Sequence, residues 1–538
     1  MPRYRSPVFP FVRPPELDGR PGRRWPVAIV GAGPVGLAAA IDLALHGIAS
    51  VVIDESNVVS TGSRAICWSK RTLEIFDRLG VGDRMVAKGV TWKVGRLFHR
   101  DREVYAFDLL PEPGHKRPAF INLQQYYVEE YLIDRARDFP DLIELRFMSR
   151  VTSVGQNGDH AWVDIETPEG GCRLAADYVL ACDGVRSTVR RSLGLDFIGR
   201  VFEERFLITD VEMAAEFPSE RWFWFEPPFH DGQSALLHKQ PDNIYRIDLQ
   251  LGPGADPEEE RRPERVIPRI RAMVGERPFE VDWISVYSFQ CRRLERFVHG
   301  RVIFAGDSAH IVSPFGARGG NGGIQDVDNL CWKLAAVLKG EGSPFLLETY
   351  NLERVHGADE NILNSARATS FMTPKSRMER LFRDEVLALA GTHAFARQLV
   401  NSGRLSRPCS LAGFPLGTRD ERSGINAAMV PGAPCLDAPV RSASGKDGWL
   451  LDHLGITFVA MTFDDRLSVP SGVRRLTIGA SGDLEDPQGM VATRYGGAPG
   501  VVYLIRPDQH VAARFRDPRP EDLTRALDRA KGNSTHDR

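Results

Sequence analysis

Apolar and polar positions along the chain follow three rhythms. Short apolar runs at 26–30 (PVAIV), 51–53 (VVI), 178–182 (YVLAC) and 301–305 (RVIFA) are too brief for helices and predict buried parallel strands. Helices are predicted at 35–46, stopped by Gly47, at 70–79, ending at Gly80, and at 125–136. Another is predicted at 324–338, where apolar positions 327, 330, 334 and 338 share a face. Two further strands fall near 143–155 and 160–166. From 200 to 298 the rhythm becomes alternating and aromatic-rich, as in 221–225 (RWFWF), 234–238 and 245–251, predicting an antiparallel sheet. Residues 345–402 read as helical, and 403–446 as a connector rich in Pro, Gly and Ser. Apolar strands return at 456–461, 476–478, 501–505 and 510–515, closed by a helix at 521–530.

This order predicts an α/β fold: a Rossmann-like dinucleotide-binding domain in two parts, 25–200 and 299–402, around an inserted antiparallel sheet at 201–298 that binds substrate. An extended arm (1–24) precedes it, and a separate small α/β domain (447–538) follows the connector. At 538 residues the chain exceeds one ordinary core. With 42% hydrophobic and 26% charged residues it reads as soluble and globular, and a net charge of −2 leaves no nucleic-acid footprint. No apolar stretch is long enough for a membrane span, and the Pro- and Arg-rich N-terminus lacks the apolar core of a secretory signal. Seven cysteines without a CxxC pair suit the reducing cytoplasm. Neither HExxH nor a Cys/His cluster points to a metal.

Three motifs describe one groove. Gly31, Gly33 and Gly36 open the first helix after the first strand, where a tight turn and unpaired N–H groups suit a pyrophosphate. Asp54 ends the second strand, 23 positions after Gly31, where such folds place an acid for a ribose hydroxyl. Asp183-Gly184 and Gly306-Asp307 end later strands in the same groove. A glycine-rich loop, 314–321, then leads into a helix whose N-terminus suits an electron-rich flavin edge. The order of the three points to FAD in extended form. With one glycine fingerprint only, NADH or NADPH is expected to bind transiently in the same groove.

The segments GAGPVG (31–36), ACDGVRSTVRR (181–191) and GRVIFAGDSAH (300–310) resemble the FAD-dependent aromatic hydroxylases of the para-hydroxybenzoate hydroxylase family, over about 25–370. STGSRAIC (60–67) and NLQQYYVEEYL (122–132) resemble its 3-(3-hydroxyphenyl)propionate hydroxylase and phenol hydroxylase branch. The tail resembles that branch's thioredoxin-like C-terminal domain, which often helps subunits pair into a homodimer, but it lacks CxxC and so any redox role. The resemblance implies that Gly31, Gly33 and Gly36 contact the pyrophosphate and Asp54 the ribose. It further implies that Arg64 faces the phosphates and the nicotinamide, Gln125 the FAD linker, and Asp183 the shared groove. Asp307 would bind the ribityl or phosphate part, and Pro314, Gly319, Gly320 and Asn321 would border the isoalloxazine. Arg318 stands where many relatives have Gln.

The reaction so implied is reduction of FAD by NADH or NADPH, addition of O2 to form a flavin C4a-hydroperoxide, and transfer of one oxygen to a small phenolic substrate. His238 and Tyr245, on adjacent predicted strands, are the candidate bases for the phenol proton. Two alternatives stand beside it. One is a flavin-dependent dehydrogenase or reductase. The other is a flavin halogenase, because WFWFEP (222–227) echoes a WxWxIP signature with Glu226 in place of isoleucine. Lys70, the lysine to weigh for that chemistry, reads as an exposed helix residue.

Overall fold

The computed structural model describes residues 4–18, 22–62, 64–230, 232–252, 254–314, 316–400, 408–420, 425, 427–464 and 466–534. Ser63 and Phe315 of the two glycine-containing loops, the first residues of the arm, and 401–407 and 421–424 of the connector lie outside them.

The short apolar runs pair with one another. Trp25–Val30 lies between Gly170–Ala181 and Ser50–Ile53, parallel to both, with Val302–Phe304 and Ile143–Arg146 parallel beyond them. Val27, Ala28 and Ile29 are wholly buried, as a central parallel strand covered on both faces requires. Helices Pro34–Leu45 and Gly319–Leu338 pack together in this core. The arm is clamped to it: the Phe9 ring stacks on Phe147 at 4.5 Å, and Glu16 takes a buried bond from Arg146 at 3.0 Å.

A second sheet runs, in spatial order, His310–Ile311, Glu280–Arg293, Ile198–Glu212, Ile244–Leu251, Ser234–Lys239, Arg221–Phe225, Val94–His99 and Arg102–Asp108. It is larger than the stretch marked out by aromatic alternation, because the hairpin Val94–Asp108 joins it parallel to Arg221–Phe225. Register assigns the faces. Arg221, His238, Arg246 and Asp210 stand opposite one another in a single row, so their neighbours in each strand point the other way. On the back, Leu237, Tyr245 and Ile247 pack with Val266, Ile270 and Val274 of helix Pro263–Val274. On the front, Leu97, Phe223, Phe225 and Leu236 share a core with Met372 and Leu387 of the helices Phe345–Met372 and Arg377–Ala390.

The tail sheet is Val473–Thr477, Phe458–Thr462, Val501–Ile505 and Val511–Arg516. Its core draws in Met429, Cys435, Ala438 and Val440, all upstream of 447. The tail is also bonded to the rest of the chain through buried polar side chains. Arg506 spans Glu353 and Asp508, Lys333 reaches Glu353 at 2.8 Å, and Arg71 donates to Gln509 and to the Asp508 carbonyl, each at 2.8 Å. These side chains are buried, and Arg506 and Glu353 each depend on a charged partner from the other unit. Lys70 is corrected as well: it is buried and bonded to Glu74, because its helix, Lys70–Arg78, lies beneath the tail. Among the described residues, no helix is long and apolar enough to cross a membrane.

Candidate active site

The three motifs meet at the C-terminal ends of the parallel strands. Gly31 has φ +105, and a Cβ there would lie 2.5 Å from the Cys182 carbonyl oxygen, so the turn requires glycine. At Gly33 an added Cβ would meet nothing within 4 Å: this position faces open groove at the start of helix Pro34–Leu45. The Asp54 carboxylate accepts from the N–H groups of Ala32 (2.6 Å) and Ser56 (2.8 Å), fixing the loop it shares with the glycines. Burial raises its carboxyl above the ordinary range despite those bonds.

Asp183 accepts from the Val189 N–H at 3.1 Å through Oδ2, while its buried Oδ1 has no partner among the described residues. Gly306 donates to Asp326 of helix Gly319–Leu338 at 2.9 Å. A Cβ on Gly323 would strike Val35 at 2.7 Å and Gly306 at 3.1 Å, so first motif, third motif and helix are in contact. Asp307 is open to solvent along the groove yet crowded by protein elsewhere, and that enclosure raises its carboxyl. An open glycine turn at a helix N-terminus, an orphaned buried acceptor and an accessible acid fit an extended dinucleotide.

Helix Gly319–Leu338 begins five residues earlier than the 324–338 its apolar spacing marks. Asn321 is a clip: Oδ1 accepts from the Ser69 N–H and Nδ2 donates to the Cys67 carbonyl, both at 2.9 Å. Its backbone, with that of Gly319 and Gly320, supplies the free N–H end of the helix. Pro314 is exposed on the approach to it. Gln125 accepts from the Ala65 N–H at 3.3 Å and donates to Glu129 at 2.8 Å, which orients the loop carrying Arg64. Arg64 is exposed and lines a cavity of about 200 Å³ with Gln125, Tyr126, Arg246 and Trp283.

A second cavity, about 80 Å³, lies between the front of the sheet and helix Phe345–Met372. Leu97, Phe107, Phe223, Phe225, Phe371 and Met372 wall it, and Gly316 and Arg318 of the glycine-rich loop form one edge. Three arginines reach it. Arg96 is committed to Glu220 and Glu103, each at 2.8 Å, and Arg318 donates to Asn361 at 3.0 Å. Arg221 makes no hydrogen bond or ion pair among the described residues, and its Nε is buried without a partner. Enclosure lowers the pKa of its guanidinium from the ordinary value, and the nearby Asp248 offsets this only in part. Asp248, on the same face, is also unpaired at Oδ1, and burial pushes its carboxyl up to about 6.

The two candidate bases are not brought together. His238 is buried beside Arg221 on the neighbouring strand, 4.0 Å from the Cys67 sulfur, and lines neither cavity. Burial, then Arg221 and Arg246, hold its pKa well below 6.5, so the imidazole is neutral. Tyr245 is on the back of the sheet, where its hydroxyl donates to the Ala215 carbonyl at 2.6 Å. One residue of register separates them, and in a strand that reverses the face. Trp222 and Trp224 are likewise on the back, packed with Phe98, Phe217 and Phe229, so the halogenase-like echo does not face the groove. Sequence reasoning missed Arg221, Arg246 and Asp248, although all three interrupt apolar strands with a charge.

Comparison with known proteins agrees with this geometry. The family described as FAD binding domain matches residues 24–365. The 6-methylpretetramide 4-monooxygenase of Streptomyces rimosus is 28% identical, over 96% of this chain and 94% of that protein. The 3-(3-hydroxy-phenyl)propionate/3-hydroxycinnamic acid hydroxylase of Mycolicibacterium gilvum is 31% identical, over 68% of this chain and 63% of its own length. The crystal structure of the flavin-dependent monooxygenase PieE, in complex with FAD and substrate, matches with a TM-score of 0.81 at 23% identity, covering 96% of this chain and 100% of that one. The shared fold thus extends through the tail.

Proposed function

The chain belongs to the FAD-binding-domain family, and from that premise we propose that groove and pocket together form a flavin-dependent monooxygenase that hydroxylates aromatic rings, with NADH or NADPH as reductant. Bound FAD supplies the electron transfer and the activation of O2. Gly31, Gly33 and the N-terminal end of helix Pro34–Leu45 would hold its pyrophosphate, Asp54 its ribose, and the N-terminus of helix Gly319–Leu338 the ring edge where negative charge collects on reduction. Arg64, exposed in the neighbouring cavity, offers a planar fork to the nicotinamide cofactor's phosphates.

Arg221 carries the assignment of substrate class. An uncompensated cation in an aromatic-walled pocket favours an anion beside it. A phenol whose hydroxyl lies against this guanidinium ionises more readily, and the phenolate is the more electron-rich ring. Proton loss then needs no protein base, which accords with His238 lining neither cavity and Tyr245 on the far face. The phenylalanine walls orient the ring and keep bulk water from it. We place the enzyme in the cytoplasm, where nicotinamide reductants are regenerated and seven free cysteines stay reduced.

The test is oxidation of NADH and of NADPH across a set of phenols, with mass spectrometry for one added oxygen. Arg221→Met should retain FAD, raise KM for the phenol, and move the pH profile up toward the phenol's own pKa. An unchanged KM and pH profile would take Arg221 out of the site. Nicotinamide oxidation without an oxygenated product on any phenol would favour a reductase.

A further inference from the structure

Residues 109–119 form a loop whose base lies at the aromatic pocket and whose apex lies on the tail. The loop leaves strand Arg102–Asp108 and returns as strand Phe120–Asn122. At its base, Leu109 shares a small core with Trp92, Ala119 and Phe120, and Cys67, Phe107, Leu110 and Ala317 pack against that core. Phe107 is a wall of the aromatic cavity, and Ala317 stands between Gly316 and Arg318 on its edge. Ala317 has φ +51, a left-handed backbone that is costly for alanine and persists only where the surroundings fix it. Those surroundings are the small core and Asn321, whose Nδ2 donates to the Ala317 carbonyl.

The apex is tied to the tail. Arg494, on helix Met490–Tyr495, donates to the carbonyls of Pro113 at 2.6 Å and Gly114 at 2.7 Å, and also to that of Asp437. Among the described residues it has no carboxylate partner, so its fork is given over to backbone from two segments. The Asp437 carboxylate accepts the Lys116 N–H at 3.0 Å, and Lys116 Nζ reaches Asp452 at 2.7 Å. Gly114 has φ +76, and a Cβ there would lie 2.2 Å from the Met490 sulfur, so the loop rests directly on the tail helix. We propose that Arg494 and Lys116 are positioning residues for hydroxylation: they hold the loop, the loop holds Ala317, and Ala317 sets the pocket edge against which the ring lies. The inference rests on the monooxygenase reading. In a productive turnover a hydride from the nicotinamide, a proton and O2 convert a ring C–H to a hydroxyl and release one water. With the edge loose and the ring misplaced, the same hydride, proton and O2 leave as hydrogen peroxide.

Hydrogen exchange of the full-length, FAD-loaded protein, read by mass spectrometry, tests the link without any substrate. Arg494→Gln should raise exchange about tenfold over 109–119 and 316–318, leave 25–30 unchanged, and keep flavin absorbance and melting temperature. Lys116→Met loosens the same seat from the other side and should act likewise, and Arg494→Lys should restore part of the protection. On the phenol of the screen that gains oxygen fastest, Arg494→Gln and Lys116→Met should raise hydrogen peroxide per nicotinamide oxidised about threefold, with the rate of flavin reduction unchanged. Unchanged exchange at 316–318 in both variants, or unchanged peroxide where exchange has risen, would overturn the proposal. A wild type that oxidises nicotinamide and oxygenates no phenol would instead count against the monooxygenase reading, while the exchange data still decide whether the tail holds the Ala317 loop.

Discussion

Arg506→Met is the sharpest probe of the joint between the tail and helix Phe345–Met372. The Arg506 guanidinium donates to both oxygens of Glu353 at 2.9 Å and to Asp508 at 3.0 Å. Removing it leaves Glu353 with Lys333 at 2.8 Å and Asn329 at 2.6 Å, both from helix Gly319–Leu338. Burial by itself would raise the Glu353 carboxyl; Arg506 first, then Lys333, outweigh burial and hold it at about 2, against an ordinary 4.5. At about 1.4 kcal/mol per pH unit, that displacement is worth about 3 kcal/mol, shared between the two cations. Lys333 cannot hold it alone: burial drives its own ammonium down to about 8 in spite of Glu353. Arg506 is therefore the principal partner, and removing one member of a buried pair costs about 3–5 kcal/mol.

The pH dependence gives an independent check. The folded value of Glu353 lies below its unfolded value, so its contribution is complete above about 4.5 and is lost as pH falls toward 2. Denaturant unfolding followed by flavin fluorescence and far-UV circular dichroism should show the variant losing about 3–5 kcal/mol at neutral pH. The gap should narrow once pH drops below about 4.5. Asp508→Asn added to Arg506→Met should recover part of the loss, because the buried carboxylate that lost its guanidinium is gone. A variant within about 1 kcal/mol of the wild type, or a gap that does not change with pH, refutes the argument.

Deleting residues 447–538 should yield no soluble protein that holds FAD, because Glu353 loses the Arg506 guanidinium and Arg71 its bonds to Gln509 and the Asp508 carbonyl together; yellow, monodisperse protein after truncation would show otherwise. Asp54→Ala should weaken FAD retention by about 1–3 kcal/mol in a fluorescence titration, since it removes the loop's two backbone bonds along with any to ribose. Arg64→Ala should slow flavin reduction in stopped flow more than it weakens FAD, and equal effects on both would place the side chain at the FAD rather than at the nicotinamide.

The groove that the three motifs form was legible because its signals are local. Gly31, Gly33 and Asp54 act through turn geometry and a strand end, which neighbouring residues determine, and Asp183-Gly184 and Gly306-Asp307 follow apolar runs short enough to be only buried strands. The early start of helix Gly319–Leu338 was hidden by its glycines, which weigh against a helix locally. Here the tertiary clip from Asn321 to Cys67 and Ser69, and the close approach of Gly323 to Val35, make glycine the residue that fits. The Pro- and Gly-rich composition of the connector says nothing of the long-range bonds that Arg506 makes to Glu353 and Arg71 to Gln509.

The substrate pocket was not legible, for a reason that lies in β-structure itself. Alternation along RWFWF separates Trp222 and Trp224 from Arg221, Phe223 and Phe225, but does not say which set faces the groove. That choice is made by partners remote in sequence: the back takes helix Pro263–Val274, and the front takes the helices after 345. The two tryptophans drew attention because large aromatics suggest a ring-binding wall, yet they are the set the back helix and its flanking rings cover. An arginine that heads an aromatic strand was the stronger signal. On the back it would face an apolar core; on the front it meets Asp248, His238 and a cavity. A charge kept in such a strand without a cross-strand partner implies a partner outside the chain. The row Arg221–His238–Arg246–Asp210 shows the contrast: Arg246 has its acid at 3.0 Å and serves the fold, whereas Arg221 has none, which is the ground for proposing it as the substrate's partner.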